Sequence, residues 1–483
     1  MKSKESWMRF LRPLSLLPLT AALVLAGCGG GSEDAPPARG TIMSALADAQ
    51  LNPNQTWPIP AAQIDAGTSA SGVQALTGAA TCDVHIAYVL YMTRDPKGEA
   101  ATASTAVFVP SGTNAACTGS RPVVLYAHGT TTEKAFNMAD IANNQEGSLT
   151  AAMFAAQGYI VVAPNYLGYD LSSLSYHPYL NAEAQAVDMV DGLRAAKSYL
   201  TASGLGTPSA QLFVTGYSEG GHVAMATQKV LERDYASEFT VTAAAPMSGP
   251  YNLTRFVTQI LASPDYCTSL GSSDPNCAVN AGATLFTPLL LTSWQKSYGD
   301  VYSTPADAYQ SAYAGFMETL LPSNSSVSDL IAAGKLPADS TFRKLYGTGG
   351  MINDSFRTAA LTNANGGMLG AAATNSLLNW TPKAPMAMCY SAADPTVFAY
   401  NTTDAQTYFG TKGVAVPALD LRGNPATIAG TLGTAAATLA GAFQATYPAA
   451  SSTVGTPGTE QDHADAAPFC AAFVRGYFAN FAQ

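Results

Sequence analysis

The chain has 483 residues, 47% hydrophobic and only 12% charged, which is ample apolar material for one large domain carrying an insertion and argues against a disordered chain. A formal net charge of −10 repels phosphate backbones, so nucleic acid is not an expected partner. Beyond the N-terminus no apolar run has the length of a bilayer span.

Lys2, Lys4, Arg9 and Arg12 form a positive segment, and an apolar run over 14–25 follows it. That run is short for a membrane helix and reads as a signal peptide over 1–27. It ends in Leu25-Ala26-Gly27-Cys28, which resembles the lipobox of bacterial lipoproteins and implies cleavage before Cys28 and lipidation of its thiol. Gly29 stands where an inner-membrane retention signal would place Asp, so the expectation is a lipid-anchored protein of the outer membrane, periplasmic or surface-facing. The stretch 28–70, rich in Gly, Ala and Pro up to about residue 60, reads as a flexible tether.

A first core segment is expected over 71–250. It opens with a strand pair at 84–93 and 101–110, followed by apolar strands at 122–127, 159–163, 211–215 and 240–246. Helical patterns alternate with them at 147–156, 179–200 and 219–233. Continuous apolar strands separated by helices predict an α/β class protein with a mostly parallel central sheet flanked by helices. Between 251 and 380 the alternation breaks into helical segments such as 306–321, which reads as a helical cap between the sixth and seventh of these strands. The second core segment, 381–483, resumes with a strand at 385–390 and ends in a helix over 466–481. The Ala/Gly/Thr-rich stretch 423–458 between them receives no assignment.

Seven cysteines less Cys28 leave Cys82, Cys117, Cys267, Cys277, Cys389 and Cys470. An even number in an exported chain suggests disulfides, although six cysteines allow fifteen connectivities. The pairing expected is Cys82–Cys117 across the first strands, Cys267–Cys277 around a short loop, and Cys389–Cys470 from a core strand to the terminal helix. Their spacings match no metal site, and neither metal nor organic cofactor is expected.

Gly216-Tyr217-Ser218-Glu219-Gly220 fits G-x-S-x-G between an apolar strand and a helical run, the context of a nucleophile elbow. A serine hydroxyl needs a base, usually a histidine oriented by a carboxylate. Of the five histidines, His85 and His177 lie in early segments, and His222 sits on the elbow helix facing away from the serine. His463 comes late, before a terminal helix, as the chain order Ser, Asp/Glu, His requires. Asp394, just past the 385–390 strand, is the carboxylate expected to orient it; Asp404 is the alternative, and Asp462 should point elsewhere. The oxyanion needs two backbone amides. Glu219 should supply one and Thr130, in Ala127-His128-Gly129-Thr130-Thr131, the other, with His128 and Gly129 bracing that loop.

These pieces together resemble the secretory lipase family, with its fungal lipase A type and bacterial esterase relatives. Besides the two stretches just quoted, Ala163-Pro164-Asn165-Tyr166-Leu167-Gly168, His177-Pro178-Tyr179-Leu180 and Ala384-Pro385-Met386 carry the resemblance, which spans 84 to the C-terminus. It implies an α/β-hydrolase core, a helical cap, and carboxylic-ester hydrolysis. Asn165 departs from the family, where an Asp is common, and the 69-residue gap between Asp394 and His463 is long. The expected substrate is a small-molecule or lipid ester, with an acyl pocket lined from 286–291 or 316–321. A peptidase or amidase, a polyester depolymerase, and an inactive surface binding protein are the alternatives. Acyl preference and oligomeric state are not legible.

Overall fold

In the computed structural model the described residues are 36–339, 341–448 and 461–482. The expected signal peptide, Cys28 and the first part of the expected tether lie outside them. The described residues form a nine-stranded sheet in the order β1-β2-β3-β5-β4-β6-β7-β8-β9. Its strands are β1 (Ile42–Ala47), β2 (Asp83–Arg94), β3 (Ala100–Ser111), β4 (Ser120–Ala127), β5 (Ile160–Pro164), β6 (Thr207–Tyr217), β7 (Val241–Met247), β8 (Met388–Tyr390) and β9 (Ala418–Asp420). The first three run antiparallel to their neighbours. Among β4 to β9 every pairing within the sheet is parallel.

Strand periodicity explains why the sheet is covered twice. Val84, Ile86 and Tyr88 of β2 point to one face with Phe108, Val124 and Phe213, against the terminal helix Asp462–Ala479. Ala87, Val89 and Tyr91 point to the other with Val107, Leu125 and Val214, against the helices Ala182–Ser203 and Glu219–Asp234. Each central strand is apolar on both faces, hence the continuous runs in its sequence.

Two expectations need correction. The stretch 28–70 is not a tether throughout: β1 pairs with β2 along the sheet edge, and the helix Ala61–Ala70 follows. Arg39 anchors the approach to β1 by an ion pair with the buried carboxylate of Asp191. With β1 counted, the expected sixth and seventh strands that flank the helical insertion are β7 and β8. Within the insertion, 306–321 is not one helix. Only Pro305–Ala308 and a single turn at Met317–Thr319 are helical, because Tyr309 bridges to Ile352 and the Gln310 amide donates to the Met351 carbonyl. Residues 423–458 begin with two helices, Pro425–Leu432 and Thr434–Thr446, capped by Asn424 and separated by Gly433.

The insertion has its own core, including Trp294, Tyr309, Met351 and Phe356. Cys82 pairs with Cys117, Cys267 with Cys277, and Cys389 with Cys470. The last ties β8 to the terminal helix.

Candidate active site

β6 ends at Tyr217 and the helix Glu219–Asp234 begins two residues later, with Ser218 as the turn between them. Ser218 has φ +61° and ψ −121°, a backbone state that costs a non-glycine residue about 1–3 kcal/mol and persists only when its surroundings enforce it. Its amide donates to the Met247 carbonyl at 3.0 Å. Close packing leaves no alternative to glycine on either side. A Cβ at Gly220 would lie 2.0 Å from the Ala127 carbonyl oxygen, and one at Gly216 2.4 Å from the same atom.

His463 lies in the first turn of the terminal helix. Its Nε2 is 2.8 Å from Ser218 Oγ and its Nδ1 2.6 Å from Asp394 Oδ2. These partners assign the tautomer: Nδ1–H donates to the carboxylate, and Nε2 accepts from the hydroxyl. The other oxygen of Asp394 accepts the Thr396 and Val397 amides at 2.8 and 2.9 Å, so the loop after β8 fixes the carboxylate. Asp462, next to His463, is turned away and pairs with Arg422 and Ser391. The Tyr217 hydroxyl donates to the His463 carbonyl. Asp404 is bound instead to Asn252 and Arg255.

The other histidines have structural partners. His128 is buried against Tyr166, ring centroids 3.9 Å apart, and both its nitrogens face carbonyls, those of Gly129 and Asn165. Burial brings its pKa down to about 4, so it is neutral at pH 7. His222 donates through Nε2 to the Asn375 carbonyl, joining the elbow helix to the insertion, and burial likewise lowers it to about 4. His85 pairs with Asp48 at the sheet edge. Asn165 donates to Ser104 Oγ and accepts the Met138 amide at 2.8 Å, contacts that use both ends of an amide side chain.

Two groups of residues escaped the sequence reading. Glu146, at the start of the helix Gln145–Met153, accepts the Gly129 amide at 3.0 Å and the Tyr126 hydroxyl at 2.8 Å. Burial pushes its carboxyl up to about 7. Glu219 has a fully buried side chain whose carboxylate meets His177 Nε2 at 2.6 Å and Gln185 Nε2 at 2.7 Å. Burial opposes its ionisation, but His177 outweighs that and holds the carboxyl below its ordinary range. The quoted His-Pro-Tyr stretch was the available signal for the second group; nothing in the sequence singled out Glu146.

Above Ser218 and Glu219 lies an apolar cavity of about 40 Å³, room for roughly three water-sized groups. Phe256, Phe286 and Leu290 of the insertion roof it, and Tyr179 forms a side. Of the two stretches expected to line an acyl pocket, 286–291 contributes and 316–321 does not; Leu321 and Met317 are buried in the insertion's own core. Ile260, Thr287 and Leu290 also wall a second, wholly insertion-lined cavity of about 30 Å³. Among the described residues no cluster of His, Cys, Asp or Glu has the makings of a metal site. No helix of the described residues is long and apolar enough to cross a membrane.

The secretory lipase family model matches residues 138–264, which include the elbow. Among solved structures, the rice cell wall degrading esterase LipA from Xanthomonas oryzae is similar at 26% identity and a TM-score of 0.72, covering 92% of this chain and 100% of that one. A putative hydrolase from Legionella pneumophila gives 18% identity and a TM-score of 0.65 over 91% of this chain and 98% of its own. Candida antarctica lipase A gives 14% and 0.51 over 79% and 76%. No curated protein matches the chain. The resemblance to the secretory lipase family is thus borne out, and the fold is that of the α/β-hydrolases.

Proposed function

We propose that this chain is an exported carboxylesterase that works through an acyl-enzyme on Ser218. That it is a carboxylic ester hydrolase follows from the family match and the esterase neighbours. The finer assignment rests on one observation: the unbroken hydrogen-bond relay from Asp394 through His463 to Ser218, at 2.6 and 2.8 Å.

In this reading His463 removes the Ser218 proton as the oxygen attacks the ester carbonyl, and Asp394 stabilises the imidazolium that forms. The Glu219 amide, at the positive end of the elbow helix, and the Thr130 amide receive the oxyanion. His463 then protonates the departing alcohol, and water repeats the sequence to release the acid. The roof of Phe256, Phe286 and Leu290 favours an apolar acyl group, and a cavity of about 40 Å³ favours a short one of roughly two to four carbons.

Hydrolysis of p-nitrophenyl esters from acetyl to palmitoyl by wild type and Ser218→Ala tests the assignment. The expected result is a short-chain optimum that vanishes with the serine. Activity retained by the variant would reject Ser218 as the nucleophile. We further propose lipid attachment at Cys28, supported by the signal-like segment before it. Labelling with a palmitate analogue should be lost in Cys28→Ala; equal labelling of both proteins would refute it.

A further inference from the structure

The two amides assigned to the oxyanion come from segments far apart in sequence, the loop after β4 and the start of the elbow helix. Their relative placement must hold to a fraction of an ångström for both to point at one atom. The side chains behind them are connected. The Glu219 carboxylate meets His177 Nε2 at 2.6 Å, and His177 Nδ1 lies 2.8 Å from the Leu167 carbonyl. Pro178 follows, its ring fixing φ, and then Tyr179, whose hydroxyl is 3.1 Å from Thr130 Oγ1. Gln185 supports the same carboxylate oxygen at 2.7 Å. His177 also rests on the Tyr169 ring, centroids 4.6 Å apart, and Tyr169 donates to the Thr131 carbonyl at 2.7 Å.

Resting on the serine-esterase reading above, we infer that His177, Pro178 and Tyr179 form a strut between Glu219 and Thr130 that fixes the spacing of the two oxyanion donors. These are positioning residues: the Tyr179 ring borders the cavity, but its hydroxyl acts through Thr130. The strut also answers an electrostatic problem. A bare carboxylate one residue from the nucleophile would repel a developing oxyanion. His177 and Gln185 meet one oxygen of that carboxylate at 2.6 and 2.7 Å, so it does not stand bare.

Removal of the single hydrogen bond from either end tests the strut. Tyr179→Phe keeps the ring that borders the cavity, and Thr130→Val keeps the backbone amide. Steady-state kinetics on p-nitrophenyl butyrate should show kcat down by roughly tenfold in each, with KM within twofold. This is a fraction of the 10²–10³ lost when a donor is removed outright. The double variant should be no worse than either single, because both delete the same bond. Inhibition by a trifluoromethyl ketone, whose adduct carries an oxyanion, should weaken in parallel with kcat/KM. Glu219→Gln probes the far end and should lower kcat in the same way.

Three outcomes overturn the inference: unchanged kcat with a lowered Tm, a loss confined to KM, or single losses that multiply in the double variant. If Tyr179→Phe does not fold, Thr130→Val reads the same bond by itself. Reaction of Ser218 with a fluorophosphonate probe separates the two levels. A wild type that neither labels nor hydrolyses esters defeats the enzymatic reading. A wild type that does both, with indifferent Tyr179 and Thr130 variants, defeats only the strut.

Discussion

Replacing Asp394 by asparagine exchanges an oxygen for a nitrogen yet reverses what His463 meets. Asparagine keeps Oδ1 facing the Thr396 and Val397 amides, so the loop after β8 retains its 2.8 and 2.9 Å bonds. The NH2 group then faces His463 Nδ1, where the carboxylate accepted at 2.6 Å. Two donors cannot share that contact, so the ring shifts its proton to Nε2 and points it at the serine it should deprotonate. The corresponding change in a chymotrypsin-type triad costs about 10⁴ in kcat, or about 5 kcal/mol of barrier. Folding should change by about 1 kcal/mol or less, since no amide loses its partner. Asp394→Ala, by contrast, strands two amides at roughly 1–3 kcal/mol each. The assay is kcat on p-nitrophenyl butyrate, with thermal melts of both variants and of Asp404→Asn. An Asp394→Asn enzyme within tenfold of wild type, correctly folded, would refute the assigned role, as would a comparable loss in Asp404→Asn.

Leu290→Ala removes part of the wall shared by the two cavities and should move the preferred acyl chain longer by roughly two to four carbons, at a stability cost of about 2–4 kcal/mol. A p-nitrophenyl ester series reads the shift, and an unchanged optimum counts against an acyl role for this cavity. Glu146 binds its proton more tightly folded, near pH 7, than unfolded, near 4.5, so its contribution is greatest at low pH and is lost as pH rises from about 4.5 to 7. The loss reaches up to about 3 kcal/mol. Urea midpoints should therefore fall across that window and fall less in Glu146→Gln; parallel profiles would exclude Glu146 as the cause. Replacing both Cys389 and Cys470 by alanine frees a loop of 81 residues and should lower stability by about 4 kcal/mol. Chemical denaturation measures it, and a loss under 1 kcal/mol would mean the unfolded chain is already compact there.

Strands β2 to β7 could be read from the sequence because strands buried on both faces announce themselves as unbroken apolar runs, and the elbow because glycine is the sole residue that fits beside it. β1 was missed for the opposite reason: Ile42–Ala47 has exposed positions and takes its order from pairing with β2 and from Arg39 on Asp191. The 306–321 segment has apolar residues four apart, a helical signature, but they turn inward from a bridged loop. The helix Pro425–Leu432 went unassigned within 423–458, and the structure shows it capped by Asn424 with Pro425 at its first position. Ser218, His463 and Asp394 could be nominated from order and context, and His177 stood in a quoted stretch without its partner Glu219, whereas Glu146 is invisible until the chain is folded. A buried carboxylate has no local pattern, only partners distant in sequence.

The bond between Cys389 and Cys470 encloses both Asp394 and His463 in one covalent ring, while Ser218 lies far upstream. A chain emerging N-terminus first presents its nucleophile 245 residues before its base. Until the terminal helix docks, the Ser218 hydroxyl has no His463 imidazole within reach. Where disulfides persist, the cysteine pair then holds the strand before Asp394 and the helix that carries His463 to one covalent frame.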